Sequence, residues 1–187
     1  MKNLVQIIDR LTHLANRLRH DERGVSAIEF AMLLPLMLTM YLGSVEISQG
    51  VSASRKVTLT TRTVADLVSQ VSSINNTDMS NSLNAAATVM APYSSSNLKV
   101  VLSSVTIDST GKATVAWSET LNGTARAKGS SVTLPTALNI PNSSLIFSEV
   151  QYAYTPTIGY IISGTLTLKD QIYMRPRLSD SVTRVNS

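Results

Sequence analysis

Few residues in this chain have the types and spacing that chemistry needs. Both histidines, His13 and His20, precede residue 24, and there is no cysteine. Beyond residue 24 the chain therefore offers no Cys–His pair, no Ser–His–Asp triad and no zinc site with standard ligands. Pairs of acids such as Asp66 with Asp78, or Asp108 with Glu119, are of the type that does acid–base work or binds calcium. No Asp-x-Asp-x-Asp-Gly loop accompanies them and nothing in the sequence brings them together, so they read as solvated acids. No enzymatic activity, metal or cofactor is expected. One acid stands apart. Glu29 is the only formal charge between Val25 and Val45, in a run that continues Phe30-Ala31-Met32-Leu33-Leu34-Pro35-Leu36.

That placement demands a reason. A carboxylate near the centre of a hydrocarbon segment costs roughly 2.5–3.5 kcal/mol on insertion scales. Val25–Val45 has the length of about 20 residues that a helix needs to cross a bilayer core. Residues 1–23 carry Lys2, Arg10, Arg17, Arg19 and Arg23 against three acids, and no basic residue follows the span until Arg55. This bias places the N-terminus in the cytoplasm and the remainder outside it. On these features alone two readings of the N-terminus are open: an uncleaved single-span anchor, and a secretory signal ending near Val51-Ser52-Ala53. Against the last stand the long charged leader, Glu29 abutting the apolar run, and Glu46 beyond it. Leu4, Ile7, Ile8, Leu11, Leu14 and Leu18 recur at helical spacing, as in a stretch able to lie on an anionic leaflet.

Arg23-Gly24-Val25-Ser26-Ala27-Ile28-Glu29-Phe30, with Leu34-Pro35 and then Thr61-Arg62-Thr63-Val64-Ala65-Asp66-Leu67-Val68, resembles the TadE-like pseudopilins of bacterial tight-adherence (Flp) pilus systems. The resemblance covers about residues 17–70, with looser similarity around Ala91-Pro92-Tyr93, Tyr152–Pro156 and Tyr173–Arg177. Phe30 stands where major pilins of that system commonly have Tyr. The resemblance implies cleavage after Gly24 by a prepilin peptidase, which makes Gly24 and Val25 the processing site. It also implies that Glu29 and Phe30 serve recognition and assembly. Other pilins or pseudopilins, the pilus assembly platform and the inner membrane are the implied partners. Cleavage would expose an α-ammonium with a free pKa of roughly 8 at Val25, which Glu29 of a neighbouring subunit could neutralise. The bland alternative leaves Glu29 snorkelling into the headgroups. Small residues such as Ala27, Ala31 and Gly43 would let helices approach.

The elements that must carry these residues follow from composition and period. Four domains are expected: a basic leader over 1–24, a transmembrane helix over 25–45, an extracytoplasmic stalk helix over 46–72, and a globular domain over 73–187. The formal charge of +4 falls to +2 for residues 25–187, which hold 11 Lys plus Arg and 9 Asp plus Glu. The basic balance is thus partly a leader effect, and no nucleic-acid partner is expected. Without cysteines, packing alone must hold the domain.

Val57, Thr60, Thr61, Val64, Leu67, Val68 and Val71 recur at three and four, which predicts that the helix runs to about Val71. Asp66 is expected to pair with Arg62 one turn back. Ser72–Asp78 reads as a break, with Thr77 or Asp78 capping a second helix through Met79, Leu83, Ala86, Ala87 and Met90. The period then changes to two over 98–107, 113–119, 145–154 and 165–174, with a hairpin at Asp108-Ser109-Thr110-Gly111. Gly123–Pro141 reads as an exposed loop, Pro176 as a strand terminator, and Trp117, Tyr152, Tyr154, Tyr160 and Tyr173 as core or sheet-face aromatics. The expected class is α+β and pilin-like: a long helix, a short helix and about four antiparallel strands. Two function classes follow, a minor pseudopilin in pilus assembly and a single-span anchored binding module outside any fibre.

Overall fold

The computed structural model describes residues 12–13 and 22–185. The apolar positions of the leader from Leu4 to Leu18, and His20, lie outside the described residues. The chain divides into two compact units, Met1–Val45 and Glu46–Ser187.

In the first unit the described residues belong mainly to helix α1, Glu22–Ser69, which continues into the second. Every residue from Gly24 to Leu38 is exposed. Apart from Glu29 the helix is largely apolar on all sides here, and it is long and apolar enough to cross a membrane. Pro35 lies inside it. Proline donates no backbone hydrogen bond, and the Thr39 hydroxyl bonds the Pro35 carbonyl at 2.8 Å.

In the second unit the helix becomes one-sided. Ala53, Val57, Thr60, Thr61, Val64, Ala65 and Val68 are buried while intervening positions stay exposed, the stripe expected of a helix covering a core. Strand β1 (Ser73–Ile74) and helix α2 (Asn76–Met90) follow, then β2 (Leu98–Ile107), β3 (Ala113–Leu121), β4 (Ser143–Tyr154), β5 (Leu166–Met174) and β6 (Thr183–Arg184). The α+β class is as expected. β3, β2, β4 and β5 form one antiparallel sheet in that order.

The sheet has two apolar faces because period-two side chains alternate across it. Leu98, Val100, Leu102, Ile146, Val150, Tyr152 and Tyr154 join the α1 stripe and Met79, Leu83, Ala86 and Met90 of α2 in the main core. A register shift of β3 against Ser104 and Val105 of β2 lets Trp117 join that core while Val115 and Ala113 face a second cluster with Val105, Ile107, Leu145 and Phe147. A bulge of this kind re-aims side chains without ending the strand.

That second cluster corrects the reading of Gly123–Pro141 as merely exposed. Val132 is buried in it and Leu134 and Leu138 pack against it. The loop also pairs with the outer edge of β3, the Val132 amide donating to Ala113 at 3.1 Å and Val115 to Ser130 at 3.0 Å. A free strand edge and an uncovered apolar face are both liabilities, and one loop removes both. Arg126 from this loop forms a two-pronged ion pair with Glu149 at 2.8 Å, its guanidinium 5.2 Å from the Phe147 ring centre, and Phe147 stacks on Tyr173.

Three local expectations change. Asn75 caps α2, its side chain accepting from the Asp78 amide at 2.8 Å, in place of Thr77 or Asp78. Asp66 pairs with Arg177 instead of Arg62 and accepts a bond from Gln70 at 2.5 Å. The Ser72–Asp78 break contains β1, which pairs in parallel with β6 at the far end of the chain. Around that pair the Arg177 amide donates to Ser69 at 2.8 Å, and Arg184 reaches Glu119 at 3.0 Å. The hairpin at Asp108 is as expected. Its carboxylate accepts from the Thr110 hydroxyl and from the Thr110 and Lys112 amides, which holds its pKa below the ordinary range, the Thr110 hydroxyl contributing most.

Leu102 is fully buried between helix and sheet. Leu102→Ala should destabilise the domain by about 2–5 kcal/mol. Urea unfolding of the detergent-solubilised chain, followed by fluorescence of the sole tryptophan, Trp117, measures it; a shift within error of zero would contradict this packing.

Candidate functional site

Gly24, Val25, Glu29 and Phe30 all lie on α1 and all are exposed. Val25 and Glu29, four residues apart, share a helix face. A Cβ built on Gly24 meets nothing within 4 Å. Among the described residues no neighbour crowds this position, so their packing does not require a glycine there. Phe30 and the apolar side chains around it are exposed as well.

Carboxylates singled out as possible acid–base or calcium pairs are not brought together as sites. Asp66 is engaged by Arg177, Glu119 by Arg184, and Asp108 by its own turn. Among the described residues no group of three or more His, Asp or Glu side chains is placed to hold a metal ion. Trp117 is buried, its indole N–H donating to the Val182 carbonyl at 2.7 Å, and Tyr152 and Tyr154 are buried, each meeting Tyr93 edge-on. Tyr160 departs from its expected place: it lies in the connection between β4 and β5 and is 61% exposed.

Glu46 is the residue that sequence reasoning passed over. It is the first charge after Glu29, immediately following the apolar segment. It is fully buried. Its carboxylate accepts three backbone hydrogen bonds from the β4–β5 connection, from Tyr160 at 2.6 Å, Ile161 at 3.0 Å and Ile162 at 2.9 Å. Successive amides converging on one acid make a small anion nest. The bonds from Ile162 and Tyr160, and a weaker one from Ile161, outweigh desolvation and hold the Glu46 carboxyl below its ordinary pKa. Next along the helix, the Gln49 carbonyl accepts from the Tyr93 hydroxyl at 3.2 Å and Gly50 lies against the Tyr154 ring. The beginning of the second unit's helix is thus held by polar and aromatic contacts before the apolar stripe starts at Ala53. No local pattern signals this, because Glu46 and its donors are 114 to 116 residues apart.

Residues 24–66 match the family model described as TadE-like protein. No curated protein and no solved structure matches the chain. The match begins at Gly24 and includes Val25, Glu29, Phe30 and Glu46, and it ends at Asp66, before the sheet.

Because the folded pKa of Glu46 is depressed, its contribution to holding the loop is complete above the unfolded value of about 4.3 and is lost as pH falls through the folded value. Glu46→Ala removes that contribution at every pH. Hydrogen exchange of the full chain should show amide protection at Tyr160–Ile162 falling by roughly tenfold or more in the variant at neutral pH, and falling in the wild type only under acid conditions. Equal protection in both proteins at neutral pH would mean that Glu46 does not hold the loop.

Proposed function

We propose, with the TadE-like segment at residues 24–66 as the premise, that this protein is a minor pseudopilin of a tight-adherence pilus system. A prepilin peptidase cleaves it after Gly24. The helix from Val25 then holds the subunit in the bacterial inner membrane as a single span, with residues 1–24 on the cytoplasmic side and the globular domain in the periplasm. Association with other pilins or pseudopilins and with the assembly platform runs through the apolar helix.

The observation that carries this reading is the lone acid in an exposed, all-round apolar helix within the matched segment. An apolar helix that no other described residue covers needs lipid, neighbouring helices or both. Cleavage converts Val25 into an ammonium group at the end of that helix, and pairing it with Glu29 of a neighbour joins two groups that are each costly alone in an apolar medium. Register between subunits then follows from electrostatics and not from side-chain shape. Gly24 supports the processing step, since the fold leaves its position open. Glycine is also among the least helix-favouring residues, by about 1 kcal/mol relative to alanine, which eases local unwinding at the bond to be cut.

In this reading the protein is a peptidase substrate and a structural subunit rather than an enzyme.

Intact mass and N-terminal sequencing of membrane-extracted protein, expressed with and without its cognate peptidase, test the processing. A peptidase-dependent start at Val25 is expected, with Gly24→Leu left uncut while unfolding like the wild type. A start at Met1 in both preparations would favour an anchored extracytoplasmic binding module instead. For Glu29→Gln, normal membrane insertion with loss of co-purifying pilus components is expected; retention of those components at the wild-type level would remove the pairing mechanism.

A further inference from the structure

We infer that the β4–β5 connection around Ile158–Ile162 is a second membrane contact, which dips into the outer, periplasmic-side interface of the same bilayer that the helix crosses. The inference rests on the anchor reading of residues 25–45 and extends it to a part of the chain more than a hundred residues away. Three observations carry it.

The first is position. The 21 residues from Val25 to Val45, at 1.5 Å rise each, make a helix of about 31 Å, the thickness of a hydrocarbon core of about 30 Å. Residue 46 then sits at headgroup level. The amides of Tyr160, Ile161 and Ile162 are bonded directly to the carboxylate of that residue, at 2.6–3.0 Å. Wherever Glu46 stands relative to the bilayer, the loop backbone stands with it.

The second is composition. No charged side chain occurs between Glu149 and Lys169. The tip of the connection instead exposes Ile158 (45%), Tyr160 (61%) and Ile161 (50%). A tyrosine flanked by isoleucines suits the interface, where an amphipathic ring lies at headgroup level and aliphatic groups reach the acyl boundary. Ile47 and Val51 on the helix just beyond Glu46 are exposed as well, and supply apolar surface next to the same anchor point.

The third is the state of the acid. A free carboxylate at this level would hold water and resist an apolar loop beside it. Here it is fully buried and has three donors, so the charge is satisfied by backbone and the side chains of the loop face outward. Gly159 and Gly164 adopt positive φ, +67° and +89°, with open space around each, which lets the connection turn sharply enough to direct successive amides to one acid. Because the loop is uncharged, its partition depends on apolar area and not on anionic lipid.

The chain has no cysteine, so single-cysteine variants of the full-length protein report local environment. Spin labels at Met37→Cys, Ile161→Cys and Thr110→Cys, in vesicles of zwitterionic lipid and of zwitterionic plus anionic lipid, are compared for collision with oxygen, which partitions into lipid, and with a water-soluble nickel chelate. Label 37 is expected in the hydrocarbon core and label 110, in the exposed β2–β3 turn, in water. Label 161 is expected to favour oxygen over nickel relative to label 110 in both lipid mixtures, and to lose that preference in the Glu46→Ala background. If label 37 is buried in lipid while label 161 behaves like label 110, the loop contact is overturned and the anchor stands. If label 37 is itself in water, both fail. If label 161 is shielded only at high protein-to-lipid ratio, with spin–spin broadening, its partner is another copy of the chain and the lipid assignment is overturned. Unfolding of each variant, followed by Trp117 fluorescence, confirms that the domain is intact.

Discussion

The burial of one stripe of α1, from Ala53 to Val68, is the contact on which the second unit depends. Everything in the main core touches this stripe or the residues that pack on it: α2 through Met79, Leu83, Ala86 and Met90, and the sheet through β2, β4 and Trp117 of β3. Without the helix the sheet would show a wide apolar face to water. Without the sheet the helix would be an amphipathic rod with no partner. The dependence explains why one helix carries two kinds of sequence. Up to Val45 it is apolar on every side, and from Glu46 its exposed positions are polar or charged more often than not.

Glu46 marks that change of pattern. A charged residue at such a point could simply face water, and instead it is enclosed by three amides of a distant connection. The same economy recurs at the other end of the helix, where Asp66 receives Arg177 and the Ser69 carbonyl receives the Arg177 amide. Helix carbonyls near a C-terminus lack intrahelical donors, and a strand-following residue meets one of them. Polar groups at both ends of the buried stripe are thus bonded by segments that flank β5 in sequence.

What local pattern determines was legible in the sequence. Period-two runs gave β2–β5 nearly to the residue, the Asp108–Gly111 turn gave the first hairpin, and the spacing of Met79, Leu83 and Met90 gave α2. The lone acid Glu29 after Gly24 was also legible, because its oddity is local: one charge in an apolar run. Pairings between remote segments were not. β1 and β6 are two residues each, too short for any period, and exist only because each supplies the other's hydrogen bonds. Asp66 has Arg62 within helical reach, and the partner it takes is 111 residues away. The Gly123–Pro141 segment reads as a loop by composition, and its few apolar residues, Val132, Leu134 and Leu138, acquire meaning only once the second sheet face is known to need a cover.

Residues 182–184 complete the core. Val182 is buried in the main cluster, its carbonyl receives the Trp117 indole, and the following strand pairs with residues 73 and 74. A ribosome delivers the α1 stripe more than a hundred residues before Val182, so during synthesis the stripe waits with an incomplete cover. An unfinished chain of this design is exposed to aggregation and proteolysis until Val182 has emerged. A chain cut short before residue 182 lacks both the strand and the core residue that close this cover.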